Sequence, residues 1–441
     1  MTGSLRSLLE EMVSPGTLLR EGEGAEWAAD GAAPAAILAP SSEEEIGRLL
    51  ERASLEGWKV LPAGYGRWPA GGGPVEVDLV ISTRRLRGME HYEPADLTFT
   101  AGGGISLSSL AQATEAQGQW LPLDPPGGYE GSLGAAVATG VGGPLRQWYG
   151  PPRDHVLGLT VVSGDGRVLR WGGRVVKNVA GFDVTRLCIG SWGALGIITS
   201  VSARLFPLPE VDATVVLEGA DATSLLPQAR AMALSSLPLA AVELLDPLGW
   251  GETGSGGPAA LVLRLLGSRD EVDAMEARVR RELRGQDTLR RLGDEESRAF
   301  HQRLGLWEEG AELVLRLAAL PTLLGDVVGL VEEWQAALEG LSTRGEPQVS
   351  MAAHVGAGIL RVALSGISSS DGSFQGWTDP VLGLRGAMEG MGGSLTVSSG
   401  PATLVREVGT WGSGGREVAL LRALKNQFDP QGILVPGRVV R

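Results

Sequence analysis

Residues 172–209 read GGRVVKNVAGFDVTRLCIGSWGALGIITSVSARLFPLP. Glycines crowd this segment as far as Gly196, Lys177 and Asn178 precede Ala-Gly-Phe-Asp, and from Ile197 to Leu205 the chain continues as an alternating, largely apolar strand. Bare positions just ahead of a buried strand suit a backbone that must turn sharply or be approached closely, because a Cβ hinders both. Two other stretches carry the same signature, LPAGYGRWPAGGG at 61–73 and GGYEGSLGAAVATG at 127–140. Each of the three adjoins a predicted strand, which favours one shared purpose over three unrelated turns.

Taken singly, each cluster leaves alternatives open. A strand feeding a glycine turn can aim backbone N–H groups at phosphate oxygens. The dinucleotide fingerprint nevertheless fails at 61–73, where Gly64 and Gly66 are spaced correctly but Pro69 stands in place of the third glycine. No Gly-Lys-Ser/Thr occurs, so a phosphate loop of that type is excluded, and the turn by itself reads equally well as structural. The second stretch places Gly131, Ser132 and Gly134 at a helix start, where exposed N–H groups and the positive dipole end suit an anion. A helix packed tightly on a sheet would ask for the same small residues.

The chain has 441 residues, enough for two or three domains with a sizeable core. Hydrophobic residues make up 43% and charged ones 20%. No charge-free apolar run approaches the roughly 18 residues of a membrane span, so no transmembrane segment is expected. The opening MTGSLRSLLEEMVSPG places two glutamates where a signal peptide needs an apolar run, which points to the cytoplasm, with any membrane association made through partners. A formal charge of −14 argues against a nucleic-acid partner. Cys188 is the sole cysteine, which excludes an intramolecular disulfide, a thiolate zinc site and a protein-held iron–sulfur cluster. Redox chemistry on this chain would need an organic cofactor.

Working outward, SSEEEIGRLLERASLEGW (41–58) predicts a helix with Ser42 and Glu45 in a capping box, Ile46, Leu49, Leu50 and Ala53 as its apolar face and Gly57 as its stop. Short strands are expected in WKVLPAGYG, VDLVIST and LTFTAGGG, and a short helix in SLSSLAQATEAQG closed by Gly118. HVLGLTVVSGDGRVLRWGG reads as a hairpin turning at Asp165-Gly166. The texture changes at Pro207 and Pro209, a plausible boundary. Beyond it, strands such as TVVLEG, AALVLRLLG and AELVLRLAAL alternate with helices such as SRDEVDAMEARVRREL and TLLGDVVGLVEEWQAALEG, and the chain ends in an amphipathic helix with a turn-rich tail.

The order of GSLGAAVATG (131–140), DHVLGLTVVSGDGRVLRWGG (154–173), KNVAGFD (177–183), LCIGSWGALGIITSVSARLFPLP (187–209) and FDPQGILVPGR (428–438) resembles the PCMH-type, or vanillyl-alcohol oxidase type, FAD-binding fold. GGRVVKNVAGFDVTRL is similar to the FAD-binding subunits of bacterial glycolate oxidases. The resemblance covers residues 30–209 and the C-terminal 25, and is weaker between. It implies an α+β protein with a two-subdomain FAD-binding domain at 30–209, an α+β cap at 210–415 and a segment at 416–441 that completes the FAD domain.

In such proteins FAD lies extended and is held largely by backbone, which would account for the bare turns. The resemblance assigns Pro62, Ala63, Gly64, Tyr65, Gly66 and Arg67 to a pyrophosphate loop, Tyr65 departing from the all-glycine form. From the second stretch it assigns Pro126, Gly131, Ser132, Leu133, Gly134 and Gly140, and from the third Gly190, Gly193, Gly196, Ile197 and Ile198. Asp154 and Lys177 are further cofactor candidates, although a surface turn explains Asp154 and His155 equally well, and Lys177 and Asn178 read also as turn residues. Trp192, standing where relatives often have an acid, would alter the surface near the adenine or simply pack. Where some relatives attach FAD through histidine this chain has Gly66 or Arg67, so noncovalent FAD is expected.

The implied activity is that of an FAD-dependent oxidoreductase acting on CH–OH groups, a glycolate-oxidase-type subunit of a complex that oxidises a small 2-hydroxy acid, glycolate or D-lactate, to the 2-oxo acid by hydride transfer to flavin. A catalytic flavoprotein subunit and an iron–sulfur subunit are the implied partners. The alternative is a noncatalytic flavin-binding or electron-relay subunit, with a sugar or lactone oxidase as a weaker third. Related dehydrogenases grip the substrate carboxylate with an arginine and a threonine where this chain has Val176 and Ala180, neither able to form a charge-assisted hydrogen bond. They also bind a divalent metal through His-x-Gly-Asp-Gly-Asn-x-His, where residues 354–361 here read HVGAGILR. His354 then stands alone as a structural or pocket histidine, no metal is expected, and Arg361 is either a solvated strand residue or a partner for an anionic ligand.

Overall fold

The computed structural model describes residues 2–19, 33–68, 72–173, 183–247, 258–284, 289–338, 347–367, 374, 376–412, 414 and 417–438. The fold is mixed α+β and divides into two units, one made of 1–142, 151–208 and 413–441, the other of 143–150 and 209–412. The short piece 143–150, inside the region expected to be the FAD-binding domain, thus counts with the second unit.

Among the described residues the first unit holds two small sheets and a two-stranded pair. β1 (Ala36–Leu38), β2 (Val60–Ala63) and β3 (Leu79–Ser82) form a parallel sheet with β3 central. The helix Glu43–Glu56 is the crossover that parallel β1 and β2 require. Ser42 Oγ accepts the Glu45 N–H at 3.2 Å, and Gly57 ends the helix at φ 72° with its N–H on Ala53 O. The capping box is only half formed. Glu45 turns away from the N-cap and accepts from Ser14 N, Thr17 Oγ1 and Ser41 N at 2.8–3.0 Å. Burial alone would raise its carboxyl, but these donors outweigh that and hold it below 4.5.

β4 (Met89–Glu93), β5 (Thr98–Gly102), β7 (Val156–Val162), β8 (Val168–Gly172) and β9 (Ile197–Arg204) make an antiparallel sheet in the order β4-β5-β9-β7-β8. β6 (Gln119–Trp120) pairs with β10 (Phe206–Pro207). The predicted hairpin is β7–β8, closed by Ser163 to Arg167 with Gly166 at φ 84°. β1 and β4 are too short or too polar to have stood out in the sequence.

The terminal helix Glu417–Phe428 and its tail are laced into this unit. The tail accepts from and donates to Val60, through Ile433 O at 2.8 Å and Val435 N at 2.9 Å. Buried Asp429 takes the N–H groups of Ile433 and Leu434 and the Lys425 ammonium at 2.5 Å, while Lys425 also donates to Ala194 O and Leu434 O.

Among the described residues the second unit is built on one antiparallel sheet of eight strands: β11 (Val211–Gly219), β12 (Ala241–Leu245), β13 (Ala259–Gly267), β14 (Leu289–Leu292), β15 (Leu313–Ala318), β16 (Gln348–His354), β17 (Ile359–Ser365) and β18 (Ser394–Ser399). Their order is β14-β11-β13-β12-β16-β17-β15-β18. Alternation sorts the two faces. Ala213, Val215, Leu261, Leu263, Leu315, Leu317, Val362 and Leu364 point into the main core, beneath helices that include Ala222–Ala233, Arg269–Glu282, Leu324–Ala337 and Thr378–Gly390. The other face packs Val216, Val262 and Ala352 against Phe300 and Leu304 of helix Asp294–Leu306. That same face carries a row of buried charge: Arg264, Glu243, His354 and Arg361.

Candidate functional site

The three glycine-rich turns meet. β2 runs into the loop Gly64–Trp68, whose backbone is pinned from several sides. Ser82 Oγ donates to Gly64 O at 2.6 Å, Thr83 N to Ala63 O at 2.9 Å and Tyr65 Oη to Gly104 O at 2.9 Å. Arg67 Nε and Trp68 Nε1 donate to Gly127 O and Pro126 O at 2.9 and 2.8 Å. Tyr65, the departure from an all-glycine loop, is therefore a strut. The second stretch lies directly against the first: a Cβ on Gly64 would sit 2.1 Å from Ser132 Oγ. The third lies against it too, since a Cβ on Gly193 would come 3.1 Å from Pro62.

Between them is a cleft, open to solvent and lined by Pro62 to Trp68, Ser132, Gly134, Trp192, Gly193, Gly196 to Ile198 and Arg438, among others. It thus gathers Pro62, Ala63, Gly64, Tyr65, Gly66, Arg67, Ser132, Gly134, Gly193, Gly196, Ile197 and Ile198 from the candidates. Gly131, Leu133, Gly140 and Gly190 do not line it. Leu133 is core, and Gly140 and Gly190 pack on one another behind the helix Leu133–Thr139. Pro126 contributes its carbonyl to Trp68. Asp154 is ion-paired with Arg153 and is likewise absent from the lining. Lys177, with Val176, Asn178 and Ala180, lies outside the described residues.

One sequence reading is corrected here. The start of helix Leu133–Thr139 does not offer open N–H groups to an anion. Leu133 N donates to Ile105 O, Gly134 N to Gly103 O, Ala135 N to Ser132 Oγ and Ala136 N to Ser132 O, at 2.8–3.3 Å. The glycines there serve close packing, as Gly134 shows: a Cβ would lie 2.7 Å from Gly103 O.

Sequence reasoning missed Trp68, Thr83, Thr139 and Arg438 in the lining, and saw in Trp192 only surface or packing. Trp192 holds a left-handed φ of 54°, an uncommon conformation for a bulky residue. Arg438 is 4% exposed, donates to Gly73 O and, with Trp192, crowds Gly72. Its position in PGR at the tail gave a signal only through the family resemblance.

In the second unit, His354 Nδ1 is 2.5 Å from Glu243 Oε2 across the β12–β16 pair, and Arg361 bonds Glu308. Burial pushes the Glu243 and Glu308 carboxyls up, against the pull of Arg361 on both. Among the described residues no three His, Cys, Asp or Glu side chains are grouped to hold a metal.

Residues 34–172 match the FAD binding domain model, and residues 208–439 match that of FAD linked oxidases, C-terminal domain. The chain belongs to the FAD-linked oxidases. It is similar to glycolate oxidase subunit GlcE of Escherichia coli (strain K12), 45% identical over 130 residues, 29% of this chain and 37% of that one. It is also similar to glycolate oxidase subunit GlcD of Bacillus subtilis (strain 168), 35% identical over 184 residues, 42% and 39% of the two chains. Both alignments therefore span well under half of those relatives. D-2-hydroxyglutarate dehydrogenase of Xanthomonas citri pv. viticola aligns over 92% of this chain and 89% of its own at 27% identity. An alkyldihydroxyacetonephosphate synthase structure shares the fold, with TM-score 0.72 at 17% identity, covering 98% of this chain and 84% of that one.

This FAD-linked oxidase is thus an FAD-dependent oxidoreductase related to several 2-hydroxy-acid dehydrogenases. The cleft suits the cofactor: bare backbone from three turns packs too tightly for side chains, and tryptophans and an arginine stand beside it. Among the described residues its lining holds neither histidine nor cysteine. Cys188 is 1% exposed with its thiol pushed up to about 12 by burial, so it is no candidate for a covalent link. FAD is noncovalent here.

Proposed function

We propose that the chain is the FAD-binding subunit of a glycolate-oxidase-type complex that oxidises a small 2-hydroxy acid to its 2-oxo acid. The convergence of the three turns on one cleft is the observation that carries this reading, together with the similarity to GlcE and GlcD. FAD, when bound, supplies the hydride acceptor. The protein's part is to orient it: Pro62 to Arg67, Gly193 and Gly196 line its cradle with backbone, and Arg438 sets a positive charge beside it for the pyrophosphate. Since a lone cysteine cannot hold an iron–sulfur cluster, electrons would leave through an iron–sulfur partner, beside a separate catalytic flavoprotein subunit.

A second reading, a noncatalytic flavin-binding or relay subunit, draws on the way His354 and Arg361 are each tied to a carboxylate where relatives place metal ligands. Anaerobic titration of the yellow protein with glycolate, D-lactate and D-2-hydroxyglutarate separates the two. Bleaching of the flavin bands by any of them supports oxidation on this chain. Unchanged bands, in protein that restores glycolate oxidation to its partner subunits, support the relay.

A further inference from the structure

On the sheet of the second unit, Arg316 of β15 and Arg361 of β17 are directly paired across neighbouring strands. Like charges opposite one another destabilise a sheet unless something negative lies between or beside them. Glu308 bonds Arg361, but a third guanidinium, that of Arg146 in the 143–150 piece, is close enough to act on both Arg316 and Glu243. Three guanidiniums, Arg146 with contacts of its own among them, thus gather on one face with Glu243 and Glu308. Glu243 already shares a hydrogen bond with His354, and burial favours the neutral form of both acids.

Arg316 carries the mark of this crowding: burial, then the nearby Arg146 and Arg361, bring its pKa down from 12.5 to about 10. It is nonetheless only partly buried. Around Arg361, which acts on both acids, three buried atoms have no hydrogen-bond partner among the described residues: Arg361 Nε, Glu243 Oε1 and Glu308 Oε1. Buried polar atoms left so are ones that an ordered water or a polar ligand would satisfy.

We propose that Arg316 and Arg361 form the carboxylate-binding subsite of this chain, taking a small hydroxycarboxylate in the place where relatives of the dehydrogenase type hold a metal. The carboxylate lies between the two guanidiniums, which balances the paired positive charges. The hydroxyl meets Glu243 or Glu308, donating to an ionised carboxylate or accepting from a neutral carboxyl, as only a group that does both can. This assignment deepens the 2-hydroxy-acid reading and rests on it for the choice of ligand, but not for the positive charge that binds it.

Oxalate, which has two carboxylates and no C–H to give as hydride, separates binding from oxidation. Calorimetric titration of the FAD-loaded protein should show oxalate binding, weakened roughly tenfold or more in Arg316→Met, since a charge-assisted hydrogen bond is lost, and less in Arg316→Lys. Glu308→Gln, which keeps the shape and can never ionise, should bind oxalate at least as tightly as the wild type. FAD content and melting temperature serve as the check that each variant is folded. No oxalate binding by the wild type, or equal affinity in wild type and Arg316→Met, overturns the subsite. Oxalate binding with the expected pattern, alongside flavin that glycolate and D-lactate fail to bleach, leaves the subsite standing and removes the oxidation reading alone.

Discussion

Gly64 and Ser132 are in contact so close that a single methyl group on Gly64 would overlap the serine hydroxyl, at 2.1 Å. The pair joins the first glycine turn to the second, and both line the cleft. Gly64→Ala should therefore displace the loop by overpacking, at a cost of about 1–3 kcal/mol, and the loop's displacement should appear first as lost cofactor. The expected result is purified protein with a markedly lower ratio of 450 nm to 280 nm absorbance and FAD affinity weakened by roughly an order of magnitude or more. A fully yellow variant would refute the role of this contact.

The link between Lys425 and Asp429 gives a second test. Asp429 is fully buried and holds the N–H groups of Ile433 and Leu434 as well as the ammonium. Lys425→Met leaves that carboxylate buried without its cation, a change that typically costs about 3–5 kcal/mol. Because the tail that follows carries Arg438 to the cleft, FAD should be lost along with stability. Denaturant unfolding with parallel FAD release measures both. Lys425→Arg should restore part of each.

Much of this was legible in the sequence, for reasons that can be located. The helix Glu43–Glu56 declared itself through Ser42, its acidic first turn and Gly57, all local signals. The β7–β8 hairpin did so through Asp165-Gly166, and the three turns through their glycines. Glu45 shows the limit: its spacing from Ser42 predicts a capping box, but Ser14, Thr17 and Ser41, distant or out of pattern, take the carboxylate. Ser132 shows the same. A helix start looks open to an anion until Ile105 and Gly103 arrive, from a strand end nearly thirty residues away, to accept its N–H groups. The pairing of Arg316 with Arg361 depends on strand register, which no periodicity within either strand contains.

Glu45 makes acid stability testable. Its carboxyl is held below the ordinary 4.5 once folded, so its contribution is fully present above about 4.5 and is lost as pH falls through the lower, folded value. Glu45→Gln should destabilise the protein at pH 7 by roughly 1–3 kcal/mol, the worth of hydrogen bonds to a charged group. The difference between variant and wild type should then shrink as the pH is lowered into the acid range. Melting temperatures of both proteins from pH 7 downward test this. A constant difference across the range would show that Glu45 contributes only by packing.

His354 and Glu243 provide the last prediction, on metal. The family resemblance implies a second histidine where this chain has Arg361, and a guanidinium neither coordinates a cation nor tolerates one nearby. The His354 ring is instead bonded by Glu243, whose carboxyl burial drives toward its neutral, poorly ligating form. Protein dialysed against EDTA should accordingly keep its flavin spectrum, melting temperature and any hydroxy-acid-dependent bleaching. Added zinc or manganese should change none of them. Elemental analysis should find metal well below one equivalent in the wild type, and His354→Ala should not alter that content. A stoichiometric metal that disappears in His354→Ala would mean that the pair ligates after all, and that Arg361 has moved aside to let it.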